Sequence, residues 1–276
     1  GRLKLETLLR GACERDELEP WYQAQVDIRS GRITGFEALL RWTGAGPGYG
    51  PGAFVPMAEE TGLILGIGER CLRRACLALA HWQALRPQDP PLSMAVNVSG
   101  HQLLGDGFVR IVEEALAESG IEPTSLHLEI TESVFLEGAR PAVTTLHQLK
   151  GLGVKLMMDD FGTGFSSLAY LHKLPLDGLK LDRSFVTSLE TDLQFRAIVK
   201  GILDLATAMG LDVVAEGVEN EQQRKILRRL GCESCQGFLF GQAVPLVEVP
   251  KLLEGGFLPP ADPTPRRSGG AATPPG

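Results

Sequence analysis

Eight short strand-like runs recur along the chain, and helical patterns fill most of the gaps after the second run. Strands that alternate with helices predict a parallel sheet, because each crossover helix returns the chain to the same end of the sheet. Eight such units in about 250 residues fit a (β/α)8 TIM-like barrel. The predicted strands are Trp21–Ile28, Ile33–Trp42, Leu92–Val98, Ser125–Thr131, Val154–Asp159, Gly178–Asp182, Asp212–Ala215 and Ser234–Phe238.

The connection between the first two runs modifies this prediction. Arg29-Ser-Gly-Arg32 is a short link typical of a hairpin, so one strand near the N-terminus is expected to run antiparallel. We therefore predict an α/β fold, a modified barrel with one antiparallel strand. A doubly wound open sheet is the alternative, although no GxGxxG follows the early strands.

The composition is that of a globular domain. The chain has 276 residues, of which 43% are hydrophobic and 22% charged, enough for one large core or two small ones. The net charge of -7 argues against a general nucleic-acid surface, so no DNA partner is expected. No apolar run is long enough to cross a bilayer, and the first residues lack the apolar core of a signal peptide, which favours a cytoplasmic location.

Three segments are expected along the chain. Residues 1–18 carry a helix-like pattern and are predicted to form a helix or linker from an upstream domain, since Gly1 is not an initiator methionine. Residues 19–258 hold the strands and helices of the main domain. After Leu258 the sequence is rich in proline and glycine and cannot bury a core, so residues 259–276 are predicted to be a flexible tail.

The run from Lys155 to Gly164 is a buried-strand pattern that ends on two adjacent carboxylates and a glycine loop. Successive side chains of a strand point to opposite faces, so Asp159 and Asp160 can share one site only if the strand bends there. Glycines 162 and 164 make such a bend easy. A metal site is one interpretation, because adjacent buried carboxylates need a compensating charge. A solvated turn with a helix N-cap is the other.

Polar side chains also lie at the ends of most other predicted strands. Period-two alternation places Glu37 and Arg41 on one face of the second strand, and Lys180 and Asp182 on one face of the sixth. Catalytic groups of barrel enzymes come from the C-terminal ends of several strands, so these residues are expected to face one opening. The other polar residues at or just beyond strand ends are Asn97, Glu129, Glu132, Glu216, Glu219 and Gln236.

Five carboxylates would share this opening. They are Glu37, Glu129, Asp159, Asp160 and Glu216. The cluster could not stay ionised without compensation, and two divalent cations would offset most of its charge, with Lys180 and Arg41 offsetting more. The ligand set is all oxygen, Asn97 is its neutral member, and no histidine lies at these strand ends. Mg²⁺ or Mn²⁺ therefore fits better than zinc.

Seven motifs together make the chain resemble the EAL domain family. They are EALLRW at 37–42, AVNVS at 95–99, LEITE at 128–132, MDDFGTGFSSL at 158–168, LKLDRSF at 179–185, AEGVE at 215–219 and QGFLF at 236–240. The resemblance runs from about Leu3 to about Leu253. It implies a bacterial phosphodiesterase that opens the second messenger cyclic di-GMP to linear 5'-pGpG on a modified (β/α)8 barrel with an antiparallel strand. In-line attack of water at a two-metal site would account for the reaction without a covalent enzyme intermediate.

The resemblance also implies roles for individual residues. Two metal ions would be held by Glu37, Asn97, Glu129, Asp159, Asp160 and Glu216, with one of the aspartates bridging them. Lys180 would orient or deprotonate the attacking water, Asp182 would help to hold the water and the metals, and both would form the catalytic set with Glu37. Arg41 would contact a substrate phosphate, and Gln23, Glu219 and Gln236 would line the substrate pocket. Glu132 would anchor the loop Phe161–Ser167, which in the family couples metal binding to dimer contacts.

The partners implied by the resemblance are cyclic di-GMP, a second copy of the chain in a homodimer, and an upstream sensory or GGDEF-type domain. The domain would face the cytoplasm even where the full-length bacterial protein is tethered to a membrane.

Three departures from the family pattern concern the surroundings of the expected metal site. The family often reads Tyr-Gln-Pro-Ile where this chain reads Tyr22-Gln-Ala-Gln25, and Gly241-Gln-Ala-Val-Pro245 replaces a Ser-Arg-Pro stretch. The loop Thr43–Gly52 is unusually rich in glycine. None of these changes removes an expected ligand. Two competing functions are a catalytically weak or inactive cyclic di-GMP-binding sensor and a metal-independent glycosidase with paired acids.

Overall fold

The computed structural model describes residues 2–44, 49–88, 90–132, 134, 139–162 and 171–255. Within them, eight strands close into a barrel in the order of the chain. The strands are β1 (Leu18–Asp27), β2 (Ile33–Trp42), β3 (Ser93–Val98), β4 (Leu126–Thr131), β5 (Lys155–Phe161), β6 (Gly178–Leu181), β7 (Asp212–Ala215) and β8 (Ser234–Cys235).

One strand of the barrel runs against the others. β1 pairs antiparallel with β2 and with β8, whereas every other neighbouring pair is parallel. The hairpin register sets Gln23 opposite Glu37 and Tyr22 opposite Ala38. The predicted barrel with an antiparallel N-terminal strand is therefore confirmed, and the C-terminal ends of the parallel strands meet at one opening, which we call the mouth.

The described helices surround the barrel. They are α1 (Arg2–Glu14), α2 (Pro51–Glu60), α3 (Leu63–Leu85), α4 (Gly100–Leu104), α5 (Phe108–Ser119), α6 (Ala139–Gly151), α7 (Arg183–Ser188), α8 (Leu193–Met209), α9 (Glu221–Leu230) and α10 (Val249–Gly255). None of these helices combines the length and apolar character that crossing a bilayer requires.

Alternation along each strand separates the apolar layer from the polar interior of the barrel. In β4, Leu126, Leu128 and Ile130 are fully buried in the layer between strands and helices, whereas Glu129 points into the barrel. The same layer holds Trp82 of α3, whose ring centroid lies 4.7 Å from that of Tyr22. Burial of these apolar side chains determines which face of each strand packs against the helices. The opposite face then points into the barrel and supplies the side chains that reach the mouth.

A second apolar cluster lies beside the barrel, under α1 and α2. Leu9 of α1 and Phe54 of α2 are fully buried in it, and Trp42 at the end of β2 packs edge-on against Phe54 with centroids 5.9 Å apart. α2 therefore has a fixed position next to the end of β2, where it forms one wall of the mouth.

Several boundaries differ from the sequence-based expectation, and two of them have a local cause. The first helix ends at Glu14, because Asp16 adopts a left-handed conformation with φ 57° and the chain then enters β1. The last strand ends at Cys235 instead of Phe238. A Cβ atom at Gly237 would lie 2.2 Å from the backbone of Val218, so the chain turns tightly against the segment that follows β7.

Candidate active site

Lys180 lies at the centre of the barrel and is 1% exposed. Its ammonium group contacts four carboxylates, each from a different part of the barrel. The distances from Lys180 Nζ are 2.6 Å to Glu129 Oε2, 2.8 Å to Glu216 Oε1, 3.2 Å to Asp159 Oδ1 and 3.3 Å to Glu37 Oε1. One positive charge is thus surrounded by four acidic side chains, more than it could neutralise if all four were ionised.

The strands bring these residues to one height inside the barrel. Asn97 on β3 is level with Glu129 on β4, and Gln23 on β1 is level with Glu37 on β2. Glu216 directly follows β7, and its backbone N–H donates to the carbonyl of Leu181, at 3.0 Å. Residues that are more than a hundred positions apart therefore share one polar layer at the mouth.

The adjacent aspartates of β5 occupy a bend. The pairing of β5 with β6 shifts register between Met158 and Phe161, and Asp160 has φ 54°. Gly162, with φ 92°, also has a positive φ, so a glycine contributes to the bend as expected, but the sequence did not predict the left-handed conformation of Asp160 itself. As a result of the bend, Asp159, Asp160 and Glu216 each offer an oxygen within 4.8 Å of the others. Three such oxygens could bind one metal ion.

Burial and mutual repulsion change the acidity of the cluster. Burial, together with the charges of Glu37 and Asp159, raises the pKa of Glu129 well above its ordinary value, against the opposing effect of Lys180. Burial alone would lower the pKa of Lys180, but its carboxylate neighbours outweigh that effect and raise the pKa well above normal. Lys180 therefore carries a positive charge in this arrangement.

The other carboxylates respond differently. Burial would raise the pKa of Glu37, yet the charge of Lys180 and hydrogen bonds from neighbouring amides hold that pKa below its ordinary value. Burial raises the pKa of Glu216 to about 7, aided by its acidic neighbours. Burial, followed by the charges of Asp159 and Asp182, also raises the pKa of Asp160. The cluster is therefore short of positive charge.

Side-chain amides hold two of the carboxylates in place. Asn97 Nδ2 donates to Glu37 Oε1 at 2.8 Å, and Gln236 Nε2 donates to Glu37 Oε2 at 2.6 Å. The same Gln236 nitrogen lies 3.1 Å from Glu216 Oε1. Gln236, which the sequence assigned to the substrate pocket, is buried here and connects two of the expected metal ligands.

Four further predicted residues lie around this centre. Asp182 caps α7 by accepting a hydrogen bond from the backbone N–H of Ser184 at 2.9 Å. Gln23 Nε2 donates to the Gly241 carbonyl at 3.1 Å. Arg41 lies at the end of β2, where its guanidinium donates to the Leu40 carbonyl and burial lowers its pKa. Glu219 lies at the rim, where it accepts a hydrogen bond from Arg183.

Glu132 follows β4 and is buried. Neither of its carboxylate oxygens has a hydrogen-bond partner among the described residues. The expected role of Glu132 concerns the loop Phe161–Ser167, of which residues 163–167 lie outside the described part of the chain. The anchoring role therefore remains a prediction.

Two clefts meet at the mouth. The smaller has a volume of about 370 Å³ and is bordered by Lys180, Glu216 and Phe238. The larger, of about 810 Å³, runs between β2, α2 and α3 and has a largely apolar lining that includes Val55 and Ile64, with Arg41 at its edge. Leu39 and Asn97 border both clefts, so a ligand at the carboxylates could extend into the apolar cleft.

Three residues of this region were not predicted from the sequence. Arg183 donates to Glu219 at 2.7 Å and borders the smaller cleft. Phe238 is 58% exposed at the same cleft, because β8 ends before it. Gln25 Nε2 donates to Gln236 Oε1 at 3.0 Å inside the barrel. The parity of Gln25 with Gln23 along β1 was the available signal for Gln25. The positions of Arg183, directly after Asp182, and of Phe238, two residues after Gln236, were weaker signals.

The side chains fit a divalent metal ion. The contacting atoms are carboxylate oxygens, with an amide from Asn97 close by, and hard cations prefer oxygen ligands of this kind. Lys180 alone leaves the surrounding carboxylates undercompensated, and a divalent cation would remove that excess.

The chain matches known proteins over most of its length. A family model described as EAL domain matches residues 6–243. The chain is 44% identical over 247 residues to the bifunctional diguanylate cyclase/cyclic di-GMP phosphodiesterase MucR of Pseudomonas aeruginosa, covering 88% of this chain and 36% of MucR. It spans 42% of an uncharacterized relative from Mycobacterium bovis. The chain is thus less than half as long as these curated relatives.

Solved structures show the same architecture. The structure of the PaMucR phosphodiesterase in complex with c-di-GMP is 43% identical, with a TM-score of 0.82, and the match covers 89% of this chain and 99% of that one. The EAL domain of DcpA from Mycobacterium smegmatis is 38% identical with a TM-score of 0.75, and the match covers 88% and 100% of the two chains. With its closed barrel and acidic mouth, the chain belongs to the EAL domain family.

Proposed function

We propose that this chain is a cyclic di-GMP phosphodiesterase that hydrolyses one phosphodiester bond of its substrate to give linear 5'-pGpG. The observation that carries the proposal is the buried Lys180 in contact with four carboxylates at the mouth of the barrel. The similarity to MucR, which is named as a cyclic di-GMP phosphodiesterase, and to the PaMucR complex with c-di-GMP supports the choice of substrate.

The reaction would use two divalent cations, Mg²⁺ or Mn²⁺. Their ligands would be Glu37, Asn97, Glu129, Asp159, Asp160 and Glu216. When bound, the metals would make water a better nucleophile and would stabilise charge on the phosphate and on the leaving oxygen. The closeness of oxygens from Asp159, Asp160 and Glu216 supports one of the two positions directly.

The side chains of the protein would organise the reactants around the metals. Lys180 would orient the attacking water through its ammonium group, which already points at the centre of the cluster. Asp182 would help to hold that water, and its hydrogen bond to Ser184 fixes its orientation. Gln236 would keep Glu37 and Glu216 apart at a fixed distance, a role that favours positioning of ligands over direct contact with substrate.

The clefts fit a substrate with two bases and two phosphates. The scissile phosphate would lie in the smaller cleft, where Gln23 and Glu219 form part of the lining. Arg41, at the edge of the apolar cleft, would contact a substrate phosphate. Phe238 exposes an aromatic face on which a guanine could stack, and the apolar cleft would hold the second guanine.

We also propose that the domain works as a homodimer in the bacterial cytoplasm, within a longer protein that carries a sensory or GGDEF-type domain. The bifunctional name of MucR and the greater length of the curated relatives support the additional domain. Light scattering of the purified chain tests the dimer, for which a mass of one chain at micromolar concentration would be the contradicting result.

Hydrolysis is tested by incubating the purified chain with cyclic di-GMP and Mn²⁺ or Mg²⁺ and separating the nucleotides by chromatography. We expect linear pGpG, and we expect EDTA, Glu37→Ala or Lys180→Ala to suppress it. Unchanged nucleotide with both metals present would contradict the proposal. An inactive sensor would bind the nucleotide without turnover, whereas a metal-independent glycosidase would leave cyclic di-GMP intact.

A further inference from the structure

Gln25 lies inside the barrel, at a position where an apolar residue would be the simpler choice. It is 5% exposed and belongs to β1, in which Tyr22, Ala24 and Val26 face the apolar layer and Gln23 and Gln25 face the interior. The related motif Tyr-Gln-Pro-Ile has isoleucine at this place. A buried amide in a barrel core needs hydrogen-bond partners, so its contacts indicate what it does.

The contacts of Gln25 lead to the acidic cluster through one residue. Gln25 Nε2 donates to Gln236 Oε1 at 3.0 Å, and Gln236 Nε2 lies 2.6 Å from Glu37 Oε2 and 3.1 Å from Glu216 Oε1. The Gln236 amide nitrogen, which carries two hydrogens, is thus within hydrogen-bond distance of two different carboxylates. Gln25 supplies the hydrogen bond on the opposite side of the same amide.

Simple chemistry determines the orientation of both amides. An ionised carboxylate can only accept hydrogen bonds, so the NH₂ group of Gln236 must face Glu37, whose Oε2 lies 2.6 Å away. The Gln236 oxygen must then turn toward the barrel core, where only a donor can satisfy it. The NH₂ group of Gln25 is that donor. An isoleucine at position 25 would leave the oxygen of Gln236 without this hydrogen bond and would weaken the preference for the correct orientation.

We propose that Gln25 is a positioning residue for the metal site: it fixes the amide of Gln236, which in turn holds Glu37 and Glu216 at the separation that metal binding requires. This inference rests on the proposed phosphodiesterase function. Gln25 also borders a cavity of about 700 Å³ at the opposite end of the barrel, so it is set well below the cleft that would hold the nucleotide. A substitution of Gln25 should therefore change metal affinity and kcat, and leave substrate binding nearly unchanged.

Gln25→Met tests this role, because methionine keeps the length of the side chain and removes the donor. The dissociation constant of Mn²⁺ is measured from the EPR signal of the free ion, and KM and kcat for cyclic di-GMP from initial rates. We expect Mn²⁺ binding about tenfold weaker and a lower kcat at limiting metal, with KM within about twofold of wild type. Gln23→Met is the matched control on the same strand, since Gln23 donates to the Gly241 carbonyl. It should raise KM and leave Mn²⁺ binding unchanged.

A double-mutant cycle shows whether Gln25 acts through Gln236. If it does, Gln25→Met should add little to the loss of Mn²⁺ affinity already caused by Gln236→Met. Equal Mn²⁺ affinity in wild type and Gln25→Met, or fully additive losses in the double variant, would overturn the proposal. Gln25→Ile serves as the second variant if Gln25→Met does not fold, as judged by its thermal melt. Wild-type chain that neither binds Mn²⁺ nor forms pGpG would instead refute the proposed function, so the two failures are distinguishable.

Discussion

Charged side chains are arranged differently at the two ends of the barrel. At the mouth, Lys180 is almost fully buried and has four carboxylate neighbours. At the other end, which we call the foot, Lys150 and Lys155 each pair with one aspartate, and all four side chains are partly exposed. Lys155 at the start of β5 lies 3.3 Å from Asp212 at the start of β7, and the side chain of Asp212 is 68% exposed.

Another pair at the foot has a structural purpose. Lys150 Nζ lies 2.7 and 2.8 Å from the two oxygens of Asp177, and Asp177 also accepts a hydrogen bond from the backbone N–H of Leu156. These charges are balanced and tie α6 to the strands. Since the same fold accommodates balanced charge at one end, the excess of carboxylates at the mouth is not a requirement of the barrel. It is the feature that prepares the mouth for cations.

Lys180→Met should have the largest effect, because it leaves the buried carboxylates without their common partner. Breaking a buried ion pair typically costs about 3–5 kcal/mol, so the free energy of unfolding of the metal-free chain should fall by about that amount near neutral pH. Turnover should fall by on the order of 10²–10⁴. Urea denaturation and initial rates measure the two effects. Wild-type stability and rate in this variant would show that Lys180 does not hold the cluster together.

The stability of the metal-free chain should also depend on pH through Glu216 at the mouth. The pKa of Glu216 is raised to about 7 in the folded chain, above its value in an unfolded chain. The folded state therefore binds this proton more tightly, and the resulting stability is complete below about pH 4 and is lost as the pH rises to about 7. Metal-free protein should lose on the order of 1–3 kcal/mol between about pH 5 and pH 8.

Glu216→Gln is the control for this pH dependence, because glutamine keeps the shape of the side chain and does not titrate. Chemical denaturation across the pH range should show a flatter profile in this variant. The same slope in both proteins would assign the effect to another group. Some slope should remain in this variant, because the pKa values of Glu129 and Asp160 are also raised. The lowered pKa of Glu37 does not contribute to it, since the stability change of Glu37 falls below the ordinary range of a glutamate.

Two substitutions of Asp160 separate the effect of its backbone conformation from the effect of its charge. Asparagine tolerates the left-handed conformation at φ 54°, so Asp160→Asn should keep the thermal stability of the metal-free chain and lower turnover by about 10–100-fold. Asp160→Val removes the same charge but strains the backbone, and it should cost about 1–2 kcal/mol more than Asp160→Asn. Equal melting temperatures for the two variants would argue against strain at this position.

Lys155→Met should have the smallest effect and is the counterpart of Lys180→Met at the foot. Its partner is largely exposed, and such pairs contribute little because water and salt screen them. We expect the free energy of unfolding to change by less than about 0.5–1 kcal/mol and the turnover of cyclic di-GMP to match wild type. A large loss of turnover in this variant would contradict the conclusion that only the mouth takes part in the reaction.

The sequence was most informative where strand alternation determines the face of a residue. It predicted that Glu37, Asn97, Glu129 and Lys180 point into the barrel, because hydrophobic neighbours at odd and even positions fix the two faces. It also required a bend at Asp159 and Asp160. It could not assign the left-handed conformation to Asp160, since a glycine follows closely and is the usual choice for such geometry.

Contacts across the barrel could not be predicted from alternation alone. The hydrogen bond between Gln25 and Gln236 joins residues 211 positions apart, and it depends on how β1 closes against β8. Likewise, the gathering of four carboxylates around Lys180 depends on the relative heights of several strands, which periodicity along one strand does not encode. The pair of Arg183 and Glu219 depends on the loops that follow β6 and β7.

Mn²⁺ binding followed by EPR tests the central difference between mouth and foot most directly. The same substitution is made at each end, Asp159→Asn at the mouth and Asp212→Asn at the foot, and free Mn²⁺ is titrated into wild type and both variants. We predict saturable binding of two ions per wild-type chain, binding about tenfold or more weaker in Asp159→Asn, and no change in Asp212→Asn. An absence of saturable binding to wild type, or equal affinities in the two variants, would contradict a divalent-metal site built from the carboxylates around Lys180.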